Sequence, residues 1–184
     1  MPLPPPTVER KLMHLRSVQL NGYKRVDGCW DIEARLTDTK NHEYPISSKT
    51  VAQGDAVHDM WVRITIDKQM NILEACASSD AAPYEQLCMS IAPDYGKHLI
   101  GLNLFHGFRK AVKEHLSGVH GCSHLTELLM YLPTAALQTF ASDVPDNADS
   151  GHKPFQLDRC HALEAHSEAV QRYYPRWYRG QKTG

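Results

Sequence analysis

Trp30-Asp31-Ile32-Glu33-Ala34-Arg35-Leu36-Thr37-Asp38-Thr39 is the stretch whose reading decides the fold class. Trp30, Ile32, Ala34 and Leu36 alternate with Asp31, Glu33, Arg35 and Thr37. A period of two with one apolar side marks a half-buried strand. Asp27-Gly28 just upstream is a tight-turn pair and gives the strand a start. Asp38-Thr39-Lys40 reads as its end, with Asp38 as a turn residue. Upstream, Leu15 to Tyr23 carries a weaker strand pattern. Downstream, residues 41–57 read as a loop with an excursion. Val62, Ile64 and Ile66 then alternate with Arg63, Thr65 and Asp67, and the turn-like residues 67–71 lead into Ile72 to Ala77. Residues 60–77 are therefore predicted to form an antiparallel hairpin.

The second half changes period. A short helix is expected around Asp94 to Leu102. Phe105, Phe108, Val112 and Leu116 make one helical stripe, and Leu125, Leu128, Leu129, Leu132, Ala136 and Phe140 make another. Pro133 inside the second stripe predicts a kink or two shorter helices. The expected architecture is α+β, an antiparallel sheet of three or more strands packed against helices over residues 10–142. A Pro-rich arm (1–9) precedes it. A polar loop or linker (143–153) and a C-terminal tail (154–184) follow.

A chain of 184 residues is long enough for one core domain with an appendage. Its 20 basic and 21 acidic residues give no basic excess, so a general nucleic-acid binder is not expected. No apolar run approaches a membrane span. The cysteines (29, 76, 88, 122 and 160) are odd in number and widely spaced, and no signal-peptide core is present. A cytoplasmic protein with reduced thiols is the expectation. Eleven histidines point mildly to metal or acid–base chemistry.

Strong motifs are absent: no Cys-x-x-Cys, His-x-x-x-His, phosphate loop, dinucleotide fingerprint or Gly-x-Ser-x-Gly elbow. What remains is dispersed. Gly121-Cys122-Ser123-His124 opens the last helical stripe, with Ser123 as the expected N-cap and Glu127 near the first turn. Cys122 would lie just ahead of the helix, where the field favours thiolate. The structural alternative is a packed cysteine beside a capping histidine. His58-Asp59 sits at the start of the hairpin. It could be a ligand with its outer carboxylate or an oriented general base, and otherwise a loop pair bonded to backbone. Asp80 lies just past the third strand, and Cys160-His161 is a second thiol–imidazole pair. Residues 173–178, Tyr-Tyr-Pro-Arg-Trp-Tyr, could stack on an aromatic ligand. More often such a cluster docks on its own domain or on a partner subunit of a homo-oligomer.

Mixed thiolate, imidazole and carboxylate donors suit zinc or iron, and three ligands with an open position suit catalysis. The expected metal ligands are His58, Cys122, His124, Asp80, Cys160 and His161. Asp59, Cys122 and His124 are the expected catalytic groups. The expected function is a metal-dependent hydrolase or lyase acting on a small-molecule substrate. The rivals are a non-catalytic metal or iron–sulfur carrier, a metal-free enzyme with Cys122 as nucleophile, and an interaction module using the 173–178 cluster.

Two likenesses follow from these residues. Asp27-Gly28-x-Trp30-Asp31-Ile32, Asp38-Thr39-Lys40, His58-Asp59-Met60-Trp61, Gly121-Cys122-Ser123-His124-Leu125, Cys160-His161-Ala162-Leu163 and Tyr174-Pro175-Arg176 together resemble a bacterial family known as domain of unknown function 2889. The resemblance covers nearly the whole chain. It implies no activity, only an association with aromatic-compound catabolism and hence an aromatic metabolite. In architecture the order of elements is also similar to iron–sulfur scaffold proteins of the IscU/NifU type, whose three cysteines, aspartate and frequent histidine gather at one end of a small sheet. On that likeness His58 takes the first cysteine's place and Asp59 the aspartate's. Asp80 or Cys88 takes the second cysteine's place and Cys122 the third's. With two of three cysteines missing, the likeness implies a mononuclear metal site rather than cluster assembly.

Overall fold

The computed structural model describes residues 3–141, 151–154 and 156–180. Two compact units divide the chain, residues 1–139 and 140–184.

The first unit is built on a four-stranded antiparallel sheet. Its strands are β1 (His14–Lys24), β2 (Trp30–Lys40), β5 (Ala56–Ile66) and β6 (Ile72–Ala81), in that spatial order. The Asp27-Gly28 turn joins β1 to β2, with Gly28 at φ 86°, a value that favours glycine. A small hairpin of β3 (Tyr44–Pro45) and β4 (Thr50–Val51) fills the excursion between β2 and β5. Five helices follow: α1 (Gln86–Met89), α2 (Ala92–Leu99), α3 (Phe108–His115), α4 (Ser123–Leu129) and α5 (Leu132–Phe140). The architecture is α+β, as the two periods of the sequence predict. Pro133 does divide the last stripe, ending one helix and opening the next. No helix among the described residues is long and apolar enough to cross a membrane.

One face of the sheet carries the core. Trp30, Ile32, Ala34 and Leu36 of β2 and Met60, Val62, Ile64 and Ile66 of β5 are buried on it. Leu125, Leu128 and Leu129 of α4 close over this face, with Tyr95 and Leu99 of α2 and Phe108 and Val112 of α3 completing the core. The other face shows the intervening polar residues.

Three strand ends differ from the sequence reading. Asp38 is no turn residue: β2 continues to Lys40, and Asp38 is the next buried position after Leu36, 3% exposed. β5 starts at Ala56, so His58 and Asp59 lie inside a strand rather than at a loop. β6 runs to Ala81, which places Asp80 inside a strand as well. The common cause is that pairing continues where the apolar pattern stops. Side-chain hydrogen bonds replace apolar contacts at that end of the sheet. Bulges mark the change, one at Asp38/Thr39 against β5 and one at Asp59/Met60 against β6.

The second unit is small. Leu157, Val170 and Tyr174 form its core, with Leu163, Trp177 and Tyr178 packed against them. Helix α6 (Glu168–Tyr173) is capped by Ser167, whose hydroxyl accepts from the Val170 amide. Three aromatics of the 173–178 cluster thus serve this unit's own core. Residues 142–150, most of the expected linker, lie outside the described residues.

Candidate functional site

Strand alternation builds the site first. Asp38 pairs across β2–β1 with Arg16 and across β2–β5 with His58, so all three share the core side of the sheet. Arg16 grips Asp38 at both oxygens, Nε to Oδ1 and Nη2 to Oδ2, each at 2.8 Å. Its remaining Nη1 reaches Glu127 of α4 at 2.6 Å. His58 Nδ1 lies 3.0 Å from Asp38 Oδ2, and His14 Nε2 lies 3.3 Å from Oδ1.

Helix α4 brings the rest. Ser123 is its first residue and Cys122 its cap, one position earlier than the sequence reading has it. The Tyr95 hydroxyl fixes this turn. It accepts from the Cys122 amide at 2.8 Å, donates to the Cys122 carbonyl at 2.9 Å and meets Thr126 Oγ1 at 2.7 Å. The turn sets His124 against His58, with ring centroids 3.8 Å apart and a 30° tilt. His124 Nε2 is 3.6 Å from Asp38 Oδ2. Its other nitrogen, Nδ1, is 3.9 Å from Cys122 Sγ, which in turn is 3.7 Å from Met60 Sδ. Asp38, His58 and His124 bring donor atoms within 4.8 Å of one another, close enough to hold a metal ion.

The electrostatics follow from burial and from Arg16. Burial, joined by the neighbouring His124, pushes His58 below the ordinary histidine value despite Asp38. Burial also pushes His124 down, and the Arg16 charge adds to it. Both imidazoles are therefore neutral donors at neutral pH, the form that binds metal or accepts a proton. Burial alone would raise the Asp38 carboxyl. The hydrogen bonds and charge of Arg16, with His58 and His14, hold it below the ordinary aspartate value instead.

The donor set can be tested against a metal. A tetrahedral ion with nitrogen and sulfur ligands at about 2.0–2.3 Å keeps its donors roughly 3.6 Å apart. The Cys122–His124 separation of 3.9 Å is within a few tenths of that. Asp38 fits the role of orienter better than that of ligand. Its two oxygens already take both arms of Arg16, and His58 and His14 besides. A carboxylate that holds one nitrogen of an imidazole while the other faces the metal is the usual support for a histidine ligand. A cavity of about 450 Å³ includes His58, Met60, Cys122 and His124 in its lining and not Asp38.

Of the residues singled out in the sequence, the structure brings together His58, Cys122 and His124. Asp59 faces the opposite side of the sheet. There Arg35 binds it at 2.8 and 2.6 Å and also stacks 4.6 Å from the Trp61 ring centre. Asp80 accepts from Trp61 Nε1 at 3.1 Å on that outer side. Cys160 and His161 belong to the second unit, Cys160 in extended backbone and His161 in a short 3-10 turn. Cys88 lines the same cavity as Cys122. Sequence reading missed Asp38, Arg16, His14 and Tyr95. Only Asp38 had a signal, its place in phase with Trp30, Ile32, Ala34 and Leu36.

A family model described as "Protein of unknown function (DUF2889)" matches residues 14–138. The matched span opens on His14 and holds Arg16, Asp38, His58, Tyr95, Cys122 and His124, while Cys160 and His161 fall beyond it. No curated protein and no solved structure matches the chain, so the likeness to iron–sulfur scaffold proteins gains no support.

Proposed function

The chain belongs to the DUF2889 family, and on that premise we propose that it is a metal-dependent enzyme of hydrolase or lyase type. His58, His124 and Cys122 would hold one zinc or iron ion, and Asp38 would orient the two imidazoles. The observation that carries this reading is the position of Asp38. It binds His58 at 3.0 Å and approaches His124 at 3.6 Å, while the far nitrogen of His124 faces the Cys122 sulfur in a cavity. Three protein ligands leave an ion one open position, from which it can polarise a carbonyl or activate water. The five cysteines stand free, which fits a reducing, cytoplasmic setting.

One observation favours a second reading. Cys122 Sγ, His124 and Asp38 stand in the order thiol, imidazole, carboxylate, with separations of 3.9 and 3.6 Å. That is also the order of a thiol enzyme without metal, in which His124 takes the Cys122 proton and Asp38 steadies the imidazolium.

Elemental analysis of untagged protein purified without chelator separates the two, run beside His58→Ala and Cys122→Ser. About one equivalent of zinc or iron, lost in both variants, is the expected result. Cys122 should then resist iodoacetamide until chelator is added. No metal and fast labelling of Cys122 would transfer the assignment to the thiol enzyme. No metal and slow labelling would remove both.

A further inference from the structure

The same cavity is also lined by Pro83, Tyr84, Leu87 and Ile91, from the stretch between β6 and α2, and by Val119. Among the described residues, no aspartate, glutamate, lysine or arginine lines it. Glu85 lies inside that stretch, but its carboxylate is turned to Lys49 at 3.5 Å. Leu87 is 79% exposed and Val119 93%, with Tyr84 also exposed. Large apolar side chains grouped around a cavity mouth mark a binding surface rather than scattered surface residues.

The mouth is also held in shape. Ser48, in the turn of the β3–β4 hairpin, donates to the Pro83 carbonyl at 2.5 Å. Glu85 adopts φ 43° and ψ −118°, a strained backbone for a residue with a side chain.

We propose that this cavity binds an uncharged small molecule, with its polar reacting group toward His58, Cys122 and His124 and its apolar body against Tyr84 and Leu87, which choose it. The inference rests on the reading above for the orientation of the ligand, not for its binding. A carboxylate or phosphate entering this cavity would give up its water and find no side-chain cation in exchange. A neutral body loses little hydration and gains contact with Tyr84, Leu87 and Ile91.

Benzyl alcohol and benzoate test this, since they share a ring and differ in charge. Each is titrated into chelator-treated full-length protein carrying ¹³C-methyl methionine, with the Met60 signal, assigned through Met60→Leu, as readout. Benzyl alcohol should shift Met60 saturably, and benzoate should bind at least tenfold more weakly. Leu87→Lys, a change at an exposed position, should narrow that ratio about tenfold. Benzoate binding as well as benzyl alcohol would overturn the proposal. An unchanged ratio in Leu87→Lys would overturn it too, as would the absence of any Met60 shift with either compound. The titration is made without metal, so its failure is distinct from failure of the metal site. Protein that retains zinc but ignores benzyl alcohol loses only this inference. Protein that binds benzyl alcohol but no metal loses only the metal reading.

Discussion

Two forked Arg–Asp pairs join neighbouring strands of the sheet, one on each face. Arg16 grips Asp38 on the inner face with two bonds of 2.8 Å, and Arg35 grips Asp59 on the outer face with bonds of 2.8 and 2.6 Å. As ion pairs they are nearly identical, both forked and charge-assisted. Their surroundings are not. Outside, Arg35 lies over Trp61, Trp61 donates to Asp80, and Arg63 stands 3.8 Å from Glu33, a mesh of opposite charges at the surface. Inside, Asp38 is buried, and three imidazoles, of His14, His58 and His124, stand within 3.6 Å of its oxygens. The forked pair does not itself make a site. What makes one is the set of titratable rings that the inner carboxylate aligns; the second nitrogen of His14 meets the Thr39 carbonyl at 3.2 Å, whereas that of His124 faces the Cys122 sulfur.

The strongest way to break this contrast is to neutralise each aspartate in turn. Asp38→Asn should lower zinc affinity about 10–100-fold, the usual effect of losing the carboxylate behind a ligand histidine. It should also cost about 2 kcal/mol of stability. Removing one partner of a fully buried pair costs about 3–5 kcal/mol, and Arg16, with its side chain 33% exposed, recovers some hydration. Asp59→Asn should cost about 1 kcal/mol, less than Asp38→Asn because the Asp59 side chain keeps 13% exposure against 4% for Asp38, and leave zinc affinity within twofold of wild type. Competition with a chromophoric chelator and thermal melting read both quantities. Equal loss of zinc in the two variants would show that the faces do not divide the labour.

This contrast was partly legible in the sequence. The alternation from Trp30 to Leu36 is local and uninterrupted, so β2 and its buried face could be read directly. The same parity carries on to Asp38, and on β5 the parity of Met60, Val62 and Ile64 points to His58 and away from Asp59. What hid the site was polarity. A carboxylate or imidazole in a core position reads as the end of a strand, because burying it alone costs several kcal/mol. It is tolerated here because Arg16, His58 and His124 meet it. These residues lie 22, 20 and 86 positions from Asp38 along the chain, beyond any local pattern. The Tyr95 clamp on Cys122 is equally distant in sequence. Cys122 and His124 could be found because they are two residues apart at a helix start. Asp80 was misplaced because β6 continues through small polar residues with no apolar face to announce it.

A second, smaller effect sharpens the comparison at the seat of Cys122. Gly121 has extended backbone, φ −159° and ψ 176°, so its conformation does not require glycine. Its surroundings do: a Cβ there would run into the Leu116 carbonyl oxygen and stand 3.0 Å from the Tyr95 hydroxyl. The same carbonyl accepts from Thr126 Oγ1 at 2.5 Å, and Thr126 meets the Tyr95 hydroxyl, so the obstruction is shared by the whole knot that seats Cys122. Gly121→Ala should destabilise by about 1–2 kcal/mol through overpacking. It should also change the alkylation rate of Cys122 severalfold in chelator-treated protein. Cys76, which pairs with Arg63 and lines a pocket on the outer face, is the internal control and should react at its wild-type rate. Parallel changes at both cysteines would mean general loosening, not loss of a specific seat.

Acid gives the smallest and most graded test. His58 and His124 have folded-state values below the ordinary 6.5, so the unfolded chain takes up protons first as pH falls. Stability therefore declines from about pH 6.5 downward, and the loss is complete once the folded values are passed. Asp38 has the same sign in a lower window. Its folded value is below 3.8, so its contribution, present above that pH, is lost as pH falls further. Each imidazole can contribute a slope of at most about 1.4 kcal/mol per pH unit. Chemical denaturation of metal-free protein at pH 7, 6 and 5 should show the first decline. His58→Gln should flatten it by roughly half, and Asp59→Asn should leave it unchanged. A wild-type profile level between pH 7 and pH 5 would mean that the two rings are not held neutral by burial. The inner carboxylate would then differ from the outer one in exposure alone.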